Sequence, residues 1–192
     1  MIRILILFIT VTFLACGQRD SDKSNNHSLN SDSLIKHVSD NKSDSKDFEK
    51  IGFELMRKES LDKLKLGLNV NDLTKILGES IEKSKSELWG ADGEYHQTFK
   101  YSGLGLELDM IGEKEVDKII NMITVVSPCD YKTNKGISIG SNYKEVEQAY
   151  KDYLNPDFSN STSLVAGSIY GGLIFSFENG KVKSIFLGAS AE

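Results

Sequence analysis

One fourteen-residue pattern occurs twice in this chain, and it narrows the possible folds more than any other feature. Leu64-Lys65-Leu66-Gly67-Leu68-Asn69-Val70-Asn71-Asp72-Leu73-Thr74-Lys75-Ile76-Leu77 aligns without gaps on Ile137-Ser138-Ile139-Gly140-Ser141-Asn142-Tyr143-Lys144-Glu145-Val146-Glu147-Gln148-Ala149-Tyr150, at an offset of 73 residues. Apolar positions 64 and 66 meet 137 and 139. Gly67 meets Gly140, Asn69 meets Asn142, and the acids Asp72 and Glu145 coincide. Leu73, Ile76 and Leu77 fall on Val146, Ala149 and Tyr150. Each copy reads as a short extended piece, a glycine turn and a capped helix. Asn at the cap with an acid three residues later approaches a capping box. Apolar residues at i, i+3 and i+4 give each helix one buried face. Gly78 suits the end of the first helix, and Asn155-Pro156 stops the second.

Strands are expected after each helix. Residues Gln97 to Tyr101 alternate, with Phe99 and Tyr101 on one face. Leu104, Leu106, Leu108 and Met110 occupy every second position, while Glu107 and Asp109 point the other way, which is a strand with one wet face. Ile111 to Lys114 reads as a turn, and Lys118 to Val126 as a further strand. In the second half, Leu164 to Tyr170 leads through Gly171-Gly172 to Leu173–Phe177. Asn179-Gly180 is the strongest hairpin signal in the chain, and Val182 to Leu187 returns. Gly105-Leu106 aligns with Gly172-Leu173, and Val116 and Ile119 with Val182 and Ile185. The fold class is therefore read as α+β. Two tandem units, about 60–126 and about 133–188, share one antiparallel sheet, with the helices packed on one face. Asp47 is placed to cap a short helix starting near Phe48.

The N-terminus carries an address. Met1-Ile2-Arg3 is followed by an apolar run to Leu14, then Ala15 and Cys16. A short basic start, an apolar core of about 7–15 residues and a small residue before the cut describe a secretory signal peptide. With Phe13-Leu14-Ala15 ahead of Cys16, the segment resembles a bacterial lipoprotein signal. That resemblance implies cleavage after residue 15 and lipidation, palmitate included, of Cys16. Gly17 in place of Asp implies sorting to the outer membrane, facing either the periplasm or the outside. Residues 16–47 carry Cys16 and then a tether rich in Ser, Asp, Asn and Lys, which cannot bury enough surface to offset its ordering entropy. Its typical reach is about 30 Å. Residues 48–192 form the globular α+β domain.

The two repeat motifs, "LKLGLNVNDLTKILGE" and "ISIGSNYKEVEQAY", each ahead of its strands, also resemble a known superfamily. It includes the small outer-membrane assembly lipoprotein BamE (SmpA/OmlA) and the secreted β-lactamase inhibitor protein. The resemblance covers residues from about 60 to 188. It implies this fold, and a role in binding other proteins.

Composition excludes several functions. With 23 Lys+Arg against 28 Asp+Glu and no basic cluster, a nucleic-acid surface is not expected. Two Cys, one of them at the lipidation position, leave Cys129 without a disulfide partner. Cys129 with His96 is the one available nucleophile pair, but no protease signature surrounds it. Asp92 and Glu94 lack the further ligands of a calcium loop. No metal, cofactor or catalytic residue is assigned.

Trp89, Tyr95 and Tyr170 are the candidate partner-binding residues, since aromatic side chains anchor interfaces. The reading is a non-catalytic envelope lipoprotein, held to the membrane through Cys16. It would bind another envelope protein as scaffold, assembly factor or inhibitor. An envelope hydrolase using Cys129 or the acidic loop near Trp89 is the alternative, with a small-ligand or peptidoglycan-binding module as a third.

Overall fold

Helix starts are fixed by side chains that satisfy otherwise orphaned N–H groups. The structure, a computed structural model, describes residues 47–80 and 82–190. The stretches expected to be a signal peptide and a tether, with Cys16 between them, lie outside the described residues. Asp47 accepts the N–H of Lys50 at 3.0 Å and opens helix α1, Phe48–Lys58. Asn69 accepts the N–H of Asp72 at 3.0 Å and opens α2, Val70–Leu77. Asn142 and Glu145 form a full capping box at α3, Tyr143–Tyr150.

The eight strands form one antiparallel sheet, with all three helices packed against it. The strands are β1 (Glu82–Lys83), β2 (Glu87–Leu88), β3 (Tyr95–Tyr101), β4 (Leu106–Ile111), β5 (Ile119–Val126), β6 (Ser163–Ser168), β7 (Gly171–Glu178) and β8 (Lys181–Gly188). Their order is β1-β3-β4-β5-β8-β7-β6, with β2 also on β3. Two meanders thus meet along β5 and β8, where Ile123–Val126 pairs with Leu187–Ser184. The Asn179-Gly180 turn has φ of 51° and 72°, as a two-residue hairpin of matching twist requires.

The same three backbone bonds tie each pre-helix loop to its sheet. Gly67 N–H donates to Ile120, Ile120 to Leu68, and Val70 to Lys118; Gly140 donates to Val182, Val182 to Ser141, and Tyr143 to Gly180. Gly67 and Gly140 have φ of 79° and 86°, a left-handed backbone that only glycine adopts freely. Register shifts fall between Asp109 and Met110 on β4 and between Ser176 and Phe177 on β7, equally far from Leu106 and Leu173.

The core is one cluster built from a single face of the sheet. It takes Phe99, Leu108, Ile123, Leu187, Leu173 and Phe175 from the strands, Leu55 from α1, Val70 and Leu73 from α2, and Val146 and Tyr150 from α3. Of the helix positions expected inside, Leu73, Val146 and Tyr150 are buried, while Ile76, Leu77 and Ala149 are half-buried. Helices α2 and α3 are eight residues each, and Ile76, Leu77 and Ala149 sit at the margin of the buried stripe and not at its centre. Two strand assignments shift. Leu104 belongs to a 3-10 turn and is exposed, because Gly105 turns left-handed and breaks the alternation. Val116 is exposed in a second 3-10 turn, so the residue that occupies the place of Val182 is Ile120.

Helix α1 lies over β6 and β7. Gly52 sits so close to the Gly171 carbonyl that a methyl group there would overlap the oxygen. Each long outer strand has a neighbour along its outer side. On β3 lie β1 and β2; on β6 the segment after α3 bonds through Asn155 N–H to Val165 and through Gly167 N–H to Tyr153.

Candidate functional site

The face of the sheet turned away from the helices follows from strand alternation. One cross-strand row reads Lys100, Glu107, Thr124, Phe186, Ile174 and Val165. The row changes from an ion pair of 2.8 Å at one side to apolar residues at the other. Met122, Ile174 and Phe186 are half-buried and Val126 is exposed. Met122 packs across the bare backbone of Gly188. Val165 is buried yet stands outside the core cluster, as its place on this second face requires.

His96 is the polar centre of this face, and it is 3 % exposed. Nδ1 lies 2.8 Å from Oδ2 of Asp109, and Nε2 lies 2.8 Å from Oδ2 of Asp92. Asn121 donates to the same Asp109 oxygen at 3.0 Å. Trp89 stacks on the imidazole with ring centroids 3.7 Å apart and planes 6° from parallel. The loop from Trp89 to Glu94 closes on itself. Trp89 N–H donates to Glu94, Gly93 N–H to Trp89, and Glu94 N–H to Oδ1 of Asp92. Those bonds, the Glu94 amide first and His96 second, hold the Asp92 carboxyl below the usual carboxylate range. A cavity of about 210 Å³ beside the stack is lined by Lys85, Glu87, Gln97 and Asp109 among others.

Trp89 and Tyr95 share one hairpin, because Leu88 pairs with Tyr95, and both are exposed. Tyr170 is exposed in the β6–β7 turn, beside Phe53 of α1, which faces Gly171. Register places all three at the same end of the sheet, where β3, β5 and β7 start and β4, β6 and β8 finish. Five strand spacings of about 4.8 Å separate the hairpin from Tyr170, roughly 24 Å. Between them runs a groove of about 390 Å³ lined by Phe53, Met56, Arg57, Leu66, Ile111 and Ile119.

The nucleophile pair is not assembled. Both nitrogens of His96 are engaged by carboxylates, and neither is free to deprotonate Cys129. Cys129 is buried among Asp62, Asp130 and Tyr131, and burial pushes its thiol up, away from the thiolate that reacts. Among the described residues no cluster of His, Cys, Asp and Glu could hold a metal ion.

Sequence reasoning missed two polar centres. Asp109 reads as a solvated strand residue, and only Asn121 inside the run Ile119–Val126 hints that it has company on the same face. Glu59 is 4 % exposed at the end of α1. It accepts from the Tyr150 hydroxyl at 2.9 Å, Asn134 N–H at 2.7 Å and Ser60 N–H at 3.2 Å. It borders a cavity of about 320 Å³ with Lys135 and Tyr153. A lone Glu at a helix end gives no sequence signal of this.

Comparison with family models, with curated proteins and with solved structures finds no match.

Proposed function

We propose that this chain is a non-catalytic lipoprotein of the cell envelope, anchored through Cys16, that binds another protein with the helix-free face and the aromatic rim of its sheet. The observation that carries the reading is the helix-free face itself. With the helices on the other face, Met122, Ile174, Phe186 and Val126 remain accessible on this one. Accessible apolar surface of this kind marks interaction sites. Trp89, Tyr95 and Tyr170 supply the anchors. Support for a tandem origin comes from the matched loop-to-strand bonds and the matched register shifts of the two meanders.

The test uses the full chain in native membranes. Cross-linking is followed by identification of captured proteins, with Ile174→Lys on the face, Trp89→Ala on the rim and Lys144→Ala on exposed α3 as control. Capture of one protein that falls in the first two variants and persists in the third supports the reading. Equal capture in all three overturns it. Processing is checked separately: an acylated Cys16 peptide in the membrane fraction is expected, and an intact Met1 N-terminus refutes the anchor.

A further inference from the structure

We propose that the Trp89–Glu94 loop is a proton-operated latch: one proton shared among His96, Asp92 and Asp109 holds the loop closed on the sheet, and its loss frees Trp89. The argument is a count of hydrogens. An ionised carboxylate only accepts, and a neutral imidazole donates from one nitrogen alone. Both His96 nitrogens lie 2.8 Å from carboxylate oxygens, so both contacts are hydrogen bonds only when the trio holds one proton beyond that of a neutral ring. Without it, a nitrogen lone pair faces a carboxylate oxygen at that distance, and one contact must open.

The structure decides which. Asp109 stands on β4, and its side chain is 12 % exposed and also bonded by Asn121. Asp92 stands on the loop, and its side chain is 36 % exposed. The Asp92 side therefore yields, while Nδ1–H stays on Asp109. The same deprotonation weakens the stack, because an imidazolium attracts the indole face and a neutral ring loses that charge. Both losses act on one loop.

The other charged groups around the ring are few. Lys85 and Glu87 line the adjoining cavity. Glu94 contributes its amide to Asp92. Lys118, buried nearby, donates to the Gly112 carbonyl and Ser86 Oγ. Acid closes the latch and alkali opens it. Trp89 is the chain's only tryptophan, so the latch carries its own reporter. If Trp89 is a partner anchor, the latch would gate binding, and that consequence alone rests on the function proposed above.

The experiment follows indole emission and acrylamide quenching of the full chain from about pH 5 to about pH 10, a span that brackets imidazole titration. Quenching should rise in a single proton step. His96→Gln should abolish the step, although His27 and His37 remain. Asp92→Asn should flatten the step, because an amide accepts from an imidazolium through its oxygen and donates to a neutral ring through its nitrogen, so the loop contact survives loss of the proton. In the wild-type chain, nitrogen shifts of His96 should report both ring nitrogens protonated on the closed side. Flat quenching across the range, or a step that survives His96→Gln, overturns the latch. These arms need no partner, so failure of the binding proposal leaves them readable.

Discussion

Replacing Tyr150 by Phe removes one oxygen from the interior and leaves the packing intact. The ring keeps its neighbours Phe175, with centroids 5.0 Å apart, and Tyr153 at 6.3 Å. What is lost is the 2.9 Å bond to Glu59, together with the hydroxyl's bond to the Thr133 side chain, while the Glu59 carboxylate keeps the Asn134 and Ser60 amides. A hydrogen bond to a charged group contributes about 1.5–3 kcal/mol, so Tyr150→Phe should cost about 2 kcal/mol. For a domain of this size that lowers the midpoint of thermal unfolding by about 4–8 °C. A double-mutant cycle with Glu59→Gln should give a coupling of about 1 kcal/mol or more. The pH dependence carries a second signature. Burial first, with the charge of Glu59 adding to it, pushes the Tyr150 hydroxyl well above the ordinary tyrosine value. A raised folded value means stability fully present below the unfolded value, about 10, and lost as pH climbs past it. The gap between wild type and variant should therefore narrow above about pH 10. Urea unfolding at neutral and alkaline pH measures both. A cost under about 0.5 kcal/mol at pH 7, or a gap that stays constant into alkali, would refute the buried-bond account.

Three further outcomes are expected. Gly52→Ala gains helix propensity yet should destabilise by about 1–3 kcal/mol in denaturant unfolding, because the added methyl collides with the Gly171 carbonyl. Leu73→Ala should cost about 2–5 kcal/mol and Leu77→Ala clearly less, since Leu73 is fully enclosed and Leu77 only half-buried; equal costs would refute that ranking. Cys129 should label slowly with a disulfide reagent in the folded chain at pH 7 and quickly in denaturant, whereas fast native labelling would revive a nucleophile reading.

The sequence made the caps and turns legible because their signals are local. Asn69, Asn142 and Asp47 announce helix starts through bonds spanning three residues, and Asn179-Gly180 announces a hairpin. The order of strands in the sheet follows from long-range pairing that no window contains. The short strands β1 and β2 were invisible for the same reason. They exist because β3 offers an edge, through Glu82 opposite Lys100 and Glu87 opposite His96. The site residues divide in the same way. Trp89, Tyr95 and Tyr170 stand out by type, but their place at one end of the sheet comes from register. The tie between His96 and Asp109 spans two strands and reads from neither alone.

The seam between β5 and β8 is where the two halves of the sheet depend on one pairing. β8 is the last of the described strands, yet it lies at the centre of the sheet. However far β3, β4 and β5 have paired with one another, Ile123–Val126 stays an open edge until β8 arrives. An unpaired, β-branched edge of this kind is a template for wrong pairing between chains. Loss of β8 would part the two meanders and leave two exposed edges, one on β5 and one on β7. The cost of losing β8 is thus set by its place in space, between β5 and β7, and not by its place along the chain.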